Sequence, residues 1–447
     1  MRLTLCSLTG AVGLASGQPV IAAPDTIRSK DAIAIRLAAP RDPILQRQIG
    51  QLVMVGFHGR RVRGRDVQLA LADVRSGRAG GVIVMDRNIS RRTKDVGALT
   101  RAFRRAAIAG GQPTVLLGVD QEGGFVQRIR ARGRSRYYPS AWRVARDGRR
   151  TFAERTYIRM ANQLAELGFN LNFGPVVDLR VNPRNPIIAR KNRSYGRDPV
   201  SVTSYARTFV DTHRTRGILT SLKHFPGHGS AKGDSHLGFV DISRVWSDEE
   251  LQPYAKMFAS GHADTVMIGH LFHEGFSDNG TRKPATLAKQ AVTGLLREEL
   301  GYKGVVITDD LAMGAIRRNF SLEQAVTGAV VAGNDIILIT SERFRTRGLA
   351  KRIGDIIYEG VLKREISRAR IAESYARVIA LKTKLDLLQA GATRAPPKFP
   401  PPPLPTRRPS FAKTAEKTGS DAILRERATP TRAVMNAPPI GLRGSVE

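Results

Sequence analysis

The 447-residue chain has a single cysteine, Cys6, so neither an internal disulfide nor a cysteine-built zinc site can form. Acids are scarce: 39 Asp and Glu stand against 72 Lys and Arg, a formal net charge of +33 at pH 7. After the first residues there is no apolar run of membrane-spanning length. There is also no internal repeat, no phosphate-cradling glycine motif and no recognised nucleic-acid-binding signature. Excess positive charge attracts polyanions. Here it is spread along the whole chain, as in Arg101 to Arg105 and Lys363 to Arg377, a pattern that reads as solvated helix faces. No specific nucleic acid is expected, whereas anionic cell-envelope polymers would be drawn electrostatically to the basic surface and tail.

Both ends differ in character from the middle. Arg2 precedes a moderately apolar run from Leu3 to Ala15, and Val20-Ile21-Ala22-Ala23 offers small residues for cleavage, so residues 1–23 are a candidate signal peptide. Ser7, Thr9, Gly10 and Gly13 dilute that run. A periplasmic or secreted protein is the expectation, with an irregular cytoplasmic N-terminus as the alternative. From 389 to 447 the chain turns basic and proline-rich, with Pro396-Pro397, Pro400 to Pro403 and Pro405. A segment with so few large apolar residues cannot offset its ordering entropy, so a disordered tail with polyproline character is expected.

Between 42 and 388 short apolar runs alternate with amphipathic stretches, which implies parallel strands joined by crossover helices. Eight strand candidates stand out: Gln51 to Phe57, Gly81 to Met85, Val115 to Val119, Asn170 to Gly174, Ile218 to Lys223, Asp264 to Gly269, Val305 to Thr308 and Asp335 to Ile339. Helical patterns lie at Thr156 to Leu167, Leu287 to Leu300 and Leu322 to Ala332, and a last one carries Ile371, Tyr375, Val378 and Leu385. The expected fold is α/β, a single (β/α)8 TIM barrel. Active sites of such barrels gather at the C-terminal ends of the strands. Asp120, Asp178, Lys223 with His224, His270 and Asp309 end or follow strands three to seven, so five strands deliver polar groups to one rim.

The richest segment is Lys223-His224-Phe225-Pro226-Gly227-His228-Gly229-Ser230-Ala231-Lys232-Gly233-Asp234-Ser235-His236, too rich in glycine for a helix and suited to a catalytic loop. Glycoside hydrolysis with retention needs a carboxylate to attack the anomeric carbon and a second group to protonate the leaving oxygen and then deprotonate water. Asp309 suits the first role. In Asp234-Ser235-His236 the one-residue gap puts carboxylate and imidazole on the same side of an extended segment, where Asp234 would orient His236 as a proton shuttle.

The loop, Val119-Asp120-Gln121-Glu122-Gly123-Gly124 and Ile307-Thr308-Asp309-Asp310-Leu311-Ala312-Met313 together resemble glycoside hydrolase family 3, and more narrowly its bacterial exo-β-N-acetylglucosaminidase branch. The resemblance runs from about Ile49 to Leu388. It implies a two-step retaining mechanism with Asp309 as nucleophile, His236 as acid and then base, and Asp234 as its partner. It also implies sugar binding by Asp120, Arg128, Arg193, Lys223 and His224, and no metal or other cofactor. Asp309 is selected over Asp310 because the family's attacking aspartate directly follows the Ser or Thr that ends the strand.

Two positions depart from the family pattern. Phe125 stands where relatives often carry arginine, and Ser230-Ala231-Lys232 replaces an Asp-Thr type sequence, which bears on aglycone preference more than on the reaction. The implied substrate is a glycan ending in β-linked N-acetylglucosamine, such as a peptidoglycan fragment in cell-wall turnover. Three other readings stay open at this point. They are a family-related phosphorylase, a metal-dependent hydrolase drawing on His224, His228, His236, His270, Asp234 and Asp309, and a non-catalytic saccharide-binding barrel. His228 reads as a loop-shaping residue, and His58, His213, His262 and His273 as structural or surface residues.

Overall fold

A computed structural model describes residues 40–90, 93–130, 137–340 and 348–392. The candidate signal peptide lies outside the described residues, as does everything beyond 392. Residues 389–392, assigned above to the tail, still belong to the last helix, Arg368–Ala392.

All eight expected strands form, each within its predicted window or overrunning it by two residues at most: β1 (Val53–Gly56), β2 (Gly81–Val84), β3 (Leu116–Val119), β4 (Leu171–Asn172), β5 (Leu219–Phe225), β6 (Thr265–Ile268), β7 (Val305–Thr308) and β8 (Ile337–Ile339). They pair in parallel in the order β7-β6-β5-β4-β3-β2-β1-β8. A bridge between Ile307 and Ile336 joins β7 to β8, completing a (β/α)8 barrel.

Most of the strands read as continuous apolar runs because both faces are buried, while β4, β5 and β6 also bury Asn172, Thr220, Ser221 and Thr265. On β1, Val53 and Val55 pack outward against the helices while Met54 points into the barrel. On β8, Ile337 and Ile339 face outward and Leu338 inward. The interior is filled by Met54, Ile83, Leu116, Phe173, Met267 and Ile307 among others. Gly118 is the gap that lets this layer close, since a Cβ there would sit 2.6 Å from the Met54 methyl and 2.7 Å from the Phe173 ring.

The last helix crosses the N-terminal mouth. Its Val378, Leu381 and Leu385 join the interior cluster. Buried carboxylates at strand starts hold it there: Asp335, before β8, pairs with Arg297, Arg370 and Arg377, and Asp264, before β6, with Arg214 and Lys384. The basic stretch Lys363 to Arg377 is not one helix. The preceding helix stops at Leu362 and Arg364 takes a left-handed φ of 64°, so the chain turns before Arg368. The Leu287 to Leu300 pattern is likewise divided, into a short 3-10 turn, Ala285–Leu287, and a π-helix, Gln290–Glu299.

Asp264 carries several of these links at once. Its side chain has no solvent exposure. It accepts from Arg214 at 2.8 Å, from Lys384 at 2.7 Å and from the Thr220 backbone at 3.0 Å. Burial alone would raise its pKa, but Arg214 and Lys384 outweigh that and hold it below the ordinary value. Asp264→Ala is therefore expected to cost about 2–4 kcal/mol in urea unfolding at neutral pH. Because the folded pKa is lowered, the loss should shrink as the pH falls from about 4 through that value.

Candidate active site

At the C-terminal mouth of the barrel opens a cleft of about 630 Å³ that all eight sequence-selected residues line: Asp120, Arg128, Arg193, Lys223, His224, Asp234, His236 and Asp309. Its floor is the top of the barrel interior, with Ile83, Met267 and Leu338. The walls are loops leaving the strand ends.

The β3 and β5 ends meet in a buried lattice of charge. Lys223 Nζ lies 2.8 Å from both Asp120 Oδ1 and Glu122 Oε1. Arg193 grips Glu122 with two bonds of 2.8 Å, from Nε and Nη2. Burial alone would raise the pKa of Glu122, but Arg193 and Lys223 hold it far below the usual carboxylate range. Lys223 is pushed up in turn, Asp120 and Glu122 outweighing its own burial. Glu122 was not among the residues singled out from the sequence. Its signal was there: three cations set around Asp120 alone leave positive charge to be matched, and Glu122 lies two residues along, on the same face of an extended segment.

His224 is held by a residue that does not reach the cleft. Asp178 Oδ2 accepts from His224 Nδ1 at 2.7 Å, and Asp178 Oδ1 accepts from the backbone N–H groups of His224 and His228. That leaves His224 Nε2 as the acceptor toward Arg193 Nη2, 3.3 Å away. Arg128 reaches Asp86 at 2.9 Å and Asp120 at 3.7 Å, which adds Asp86 to the cleft.

His270 also ends a strand without lining the cleft. Its Nε2–H donates to the Asp310 carbonyl at 2.9 Å and its Nδ1 accepts from Thr286 at 2.7 Å, so it is a buried support. Of the five strand ends marked as functional, those of Asp178 and His270 therefore act behind the surface. Among the described residues no group of three or more His, Cys, Asp or Glu is placed to hold a metal ion.

Asp309 and Asp310 are adjacent and differ. Burial would raise both. The imidazoles of His270, His224 and His236 and the Asp310 N–H outweigh it at Asp309, which lies below its ordinary value. Asp310 is pushed up to about 6 by burial, its bonds to Thr340 and to the Thr340 and Ala312 amides offsetting only part. Its oxygens tie β7 to β8 and are not free to attack.

The Asp234–His236 pair forms, though not on an extended strand. Asp234 Oδ1 accepts from the His236 backbone N–H at 2.8 Å and lies 2.7 Å from its Nδ1, and the Leu237 N–H returns to the Asp234 carbonyl, so the segment is a tight turn. The His236 side chain is 57% exposed, with Nε2 turned away from its partner. Gly314 and Ala315, just after Asp309, donate backbone N–H groups to the His236 and Ser235 carbonyls. A Cβ at Gly314 would lie 2.5 Å from the His236 oxygen.

Below this turn Glu250 accepts from the Gly229 and Ser230 amides at 2.7 and 3.2 Å. Gly229 presses on the Leu179 carbonyl, which a Cβ would meet at 1.8 Å. Gly227 takes a positive φ of 125°, as the glycine-rich sequence leads one to expect, and His228 is buried beneath the loop, its pKa lowered to about 4 by burial.

Fold and cleft together define the class: a (β/α)8 barrel with an ionic, hydrogen-bonding site at its C-terminal mouth. The model of the glycosyl hydrolase family 3 N terminal domain matches residues 44–381, and the chain belongs to that family. It is 32% identical to beta-hexosaminidase LpqI of Mycobacterium tuberculosis over 358 residues, 77% of this chain and 83% of that one. It is 31% identical to beta-hexosaminidase A of Pseudoalteromonas piscicida over 330 residues, 68% of this chain and 53% of the relative, so it spans about half of that protein. Among solved structures, a family 3 beta-N-acetylglucosaminidase from Paenibacillus sp. str. FPU-7 superposes with a TM-score of 0.69 at 31% identity, over 80% of this chain and 64% of the other. The beta-N-acetylhexosaminidase of Beutenbergia cavernae gives 0.67 at 27% identity, over 77% of this chain and all of the other.

Two tests address the loop. Gly314→Ala should displace the His236 turn and lower kcat by about tenfold or more with a smaller change in KM, read by steady-state kinetics. Glu250 is raised from 4.5 to about 7, chiefly by burial. A raised folded pKa gives stability that is present below the unfolded value and is lost as pH rises. Wild type should therefore lose on the order of 2–3 kcal/mol relative to Glu250→Gln between about pH 4.5 and 7.5 in urea unfolding.

Proposed function

We propose that the protein is a retaining exo-β-N-acetylglucosaminidase that removes non-reducing terminal β-linked N-acetylglucosamine, with peptidoglycan fragments as its substrates. The observation that carries this reading is the convergence of Asp309 and the Asp234–His236 pair on one cleft. The relatives named beta-hexosaminidase support the sugar.

In the first step the Asp309 carboxylate attacks the anomeric carbon while His236 Nε2–H protonates the departing oxygen. Asp234, fixed on Nδ1, selects the tautomer that exposes Nε2 and stabilises the imidazolium. In the second step neutral His236 takes a proton from water, which displaces Asp309 and regenerates it. Asp120, Lys223 and Arg128 line the same cleft, where carboxylates accept from sugar hydroxyls and cations donate to them. The lattice around Glu122 holds Lys223, and through it Asp120, in place. We place the enzyme in the periplasm or outside the cell, where its basic surface would hold it near anionic envelope polymers.

The test is turnover of nitrophenyl β-N-acetylglucosaminide and β-glucoside, with and without phosphate. Wild type should hydrolyse only the former, giving free sugar rather than sugar phosphate. Asp309→Ala should lose about 10⁴-fold or more, and His236→Ala about 10²–10³-fold on an oligosaccharide, less on the activated nitrophenyl leaving group. The acid limb of kcat/KM should fall below the ordinary carboxylate range, because Asp309 must be ionised and its pKa is lowered. If Asp309→Ala kept even a tenth of wild-type activity, this reading would be lost.

A further inference from the structure

Beside the catalytic cleft lies a second cavity of about 880 Å³. Arg143, Arg159, Arg190 and Lys191 line it, and among the described residues no Asp or Glu does. Two residues, Phe125 and Lys191, belong to the walls of both cavities, so one opens beside the other across their side chains. Lys191 Nζ sits 4.0 Å from the centroid of the Phe125 ring, which is 65% exposed.

The cavity is built rather than incidental. The Gly124 N–H donates to the Tyr138 carbonyl at 2.9 Å, and the Trp142 N–H to the Asn192 carbonyl at 3.2 Å, stitching three of its four wall segments together. Gly124, at φ 61°, packs so closely that a Cβ would lie 2.5 Å from Ser140 Cβ. The nearby acid Asp147 is held by Arg149 through two bonds of 2.8 and 2.9 Å, with Arg143 as a weaker neighbour, and it does not line the cavity.

An exo-acting site encloses the terminal sugar, and nothing of the substrate extends past that sugar on the non-reducing side. A cavity opening from the rim therefore serves the leaving-group side. We propose that this second cavity is an aglycone subsite that selects leaving groups bearing carboxylates, with Phe125 as an apolar platform at its threshold. Guanidinium groups bind carboxylates in a planar, two-bonded fashion, and a wall without acids rejects no anion. The orientation of the substrate in this proposal rests on the exo-glycosidase reading above.

The experiment compares two substrates: N-acetylglucosamine β-linked to N-acetylmuramyl-L-alanyl-D-glutamate, and neutral chitobiose. The ratio of their kcat/KM values should favour the anionic substrate about tenfold or more in wild type at low salt. It should fall about tenfold in Arg143→Ala/Arg190→Ala, drop in raised salt, and return in part in Arg143→Lys/Arg190→Lys. Both arginines are exposed, so folding should survive, and thermal unfolding checks that it does. A wild-type ratio near one, or a ratio unchanged in the double alanine variant, would overturn the subsite.

Calorimetric binding of the free muramyl dipeptide product separates this proposal from the hydrolase reading. Binding that is lost in the double alanine variant, in a protein that cleaves neither substrate, upholds the subsite and sinks the hydrolase. Cleavage of both substrates, with product binding absent or equal in the two proteins, does the reverse.

Discussion

Two carboxylates and two cations, Asp120, Glu122, Lys223 and Arg193, share a space nearly closed to water, and they must neutralise one another there. Removing any one strands a buried charge, a far greater cost than the net worth of the pairs themselves. The lattice draws the ends of β3 and β5 and the segment before Tyr195 to a common centre. It also sets the polarity of the cleft wall: donors and acceptors stand ready, already desolvated and held by one another, before any ligand arrives. The support residues serve the same end from behind, Asp178 by fixing His224 and Glu250 by gathering the glycine loop.

The neighbouring carboxylates Asp309 and Asp310 show environment dividing labour between like groups. One is surrounded by imidazoles and stays ionised; the other spends its oxygens on Thr340 and backbone amides and rises to about 6. The second has an architectural duty. Between β7 and β8 the strand ladder is a single bridge at Ile307 and Ile336, and Asp310 fastens the seam where the ladder is thinnest. The residue beside the proposed nucleophile thus closes the barrel that positions it.

Much of the fold was legible in the sequence because a parallel barrel writes most of its strands as short, largely apolar runs with a polar residue at or just past the end, and all eight candidates became strands. The helices were less legible where local geometry overrode pattern. Arg364 breaks a basic stretch that composition alone reads as continuous, and the segment before Leu300 coils as a π-helix that no apolar spacing announces. For the cleft, position along a strand revealed which residues reach the rim but not which way they face. His270 ends a strand as plainly as Asp120 does and Asp178 follows one, yet hydrogen bonds to His224, Thr286 and a backbone carbonyl turn them inward. The Asp234–His236 spacing identified a pair without revealing the turn that makes it. Glu122 escaped because its role is to balance charge, a property of the assembled site rather than of any single motif.

The helix Arg368–Ala392 ties one mouth of the barrel to the other. Ile83, Met267 and Leu338 form the floor of the cleft, and the same cluster contains Val378, Leu381 and Leu385 from the helix across the opposite mouth. The floor of the cleft and the helix that stoppers the barrel thus share one continuous apolar interior. The cleft floor has no core of its own: it rests on packing that this helix helps to complete, so a change of volume on the helix face is passed through the interior to the floor.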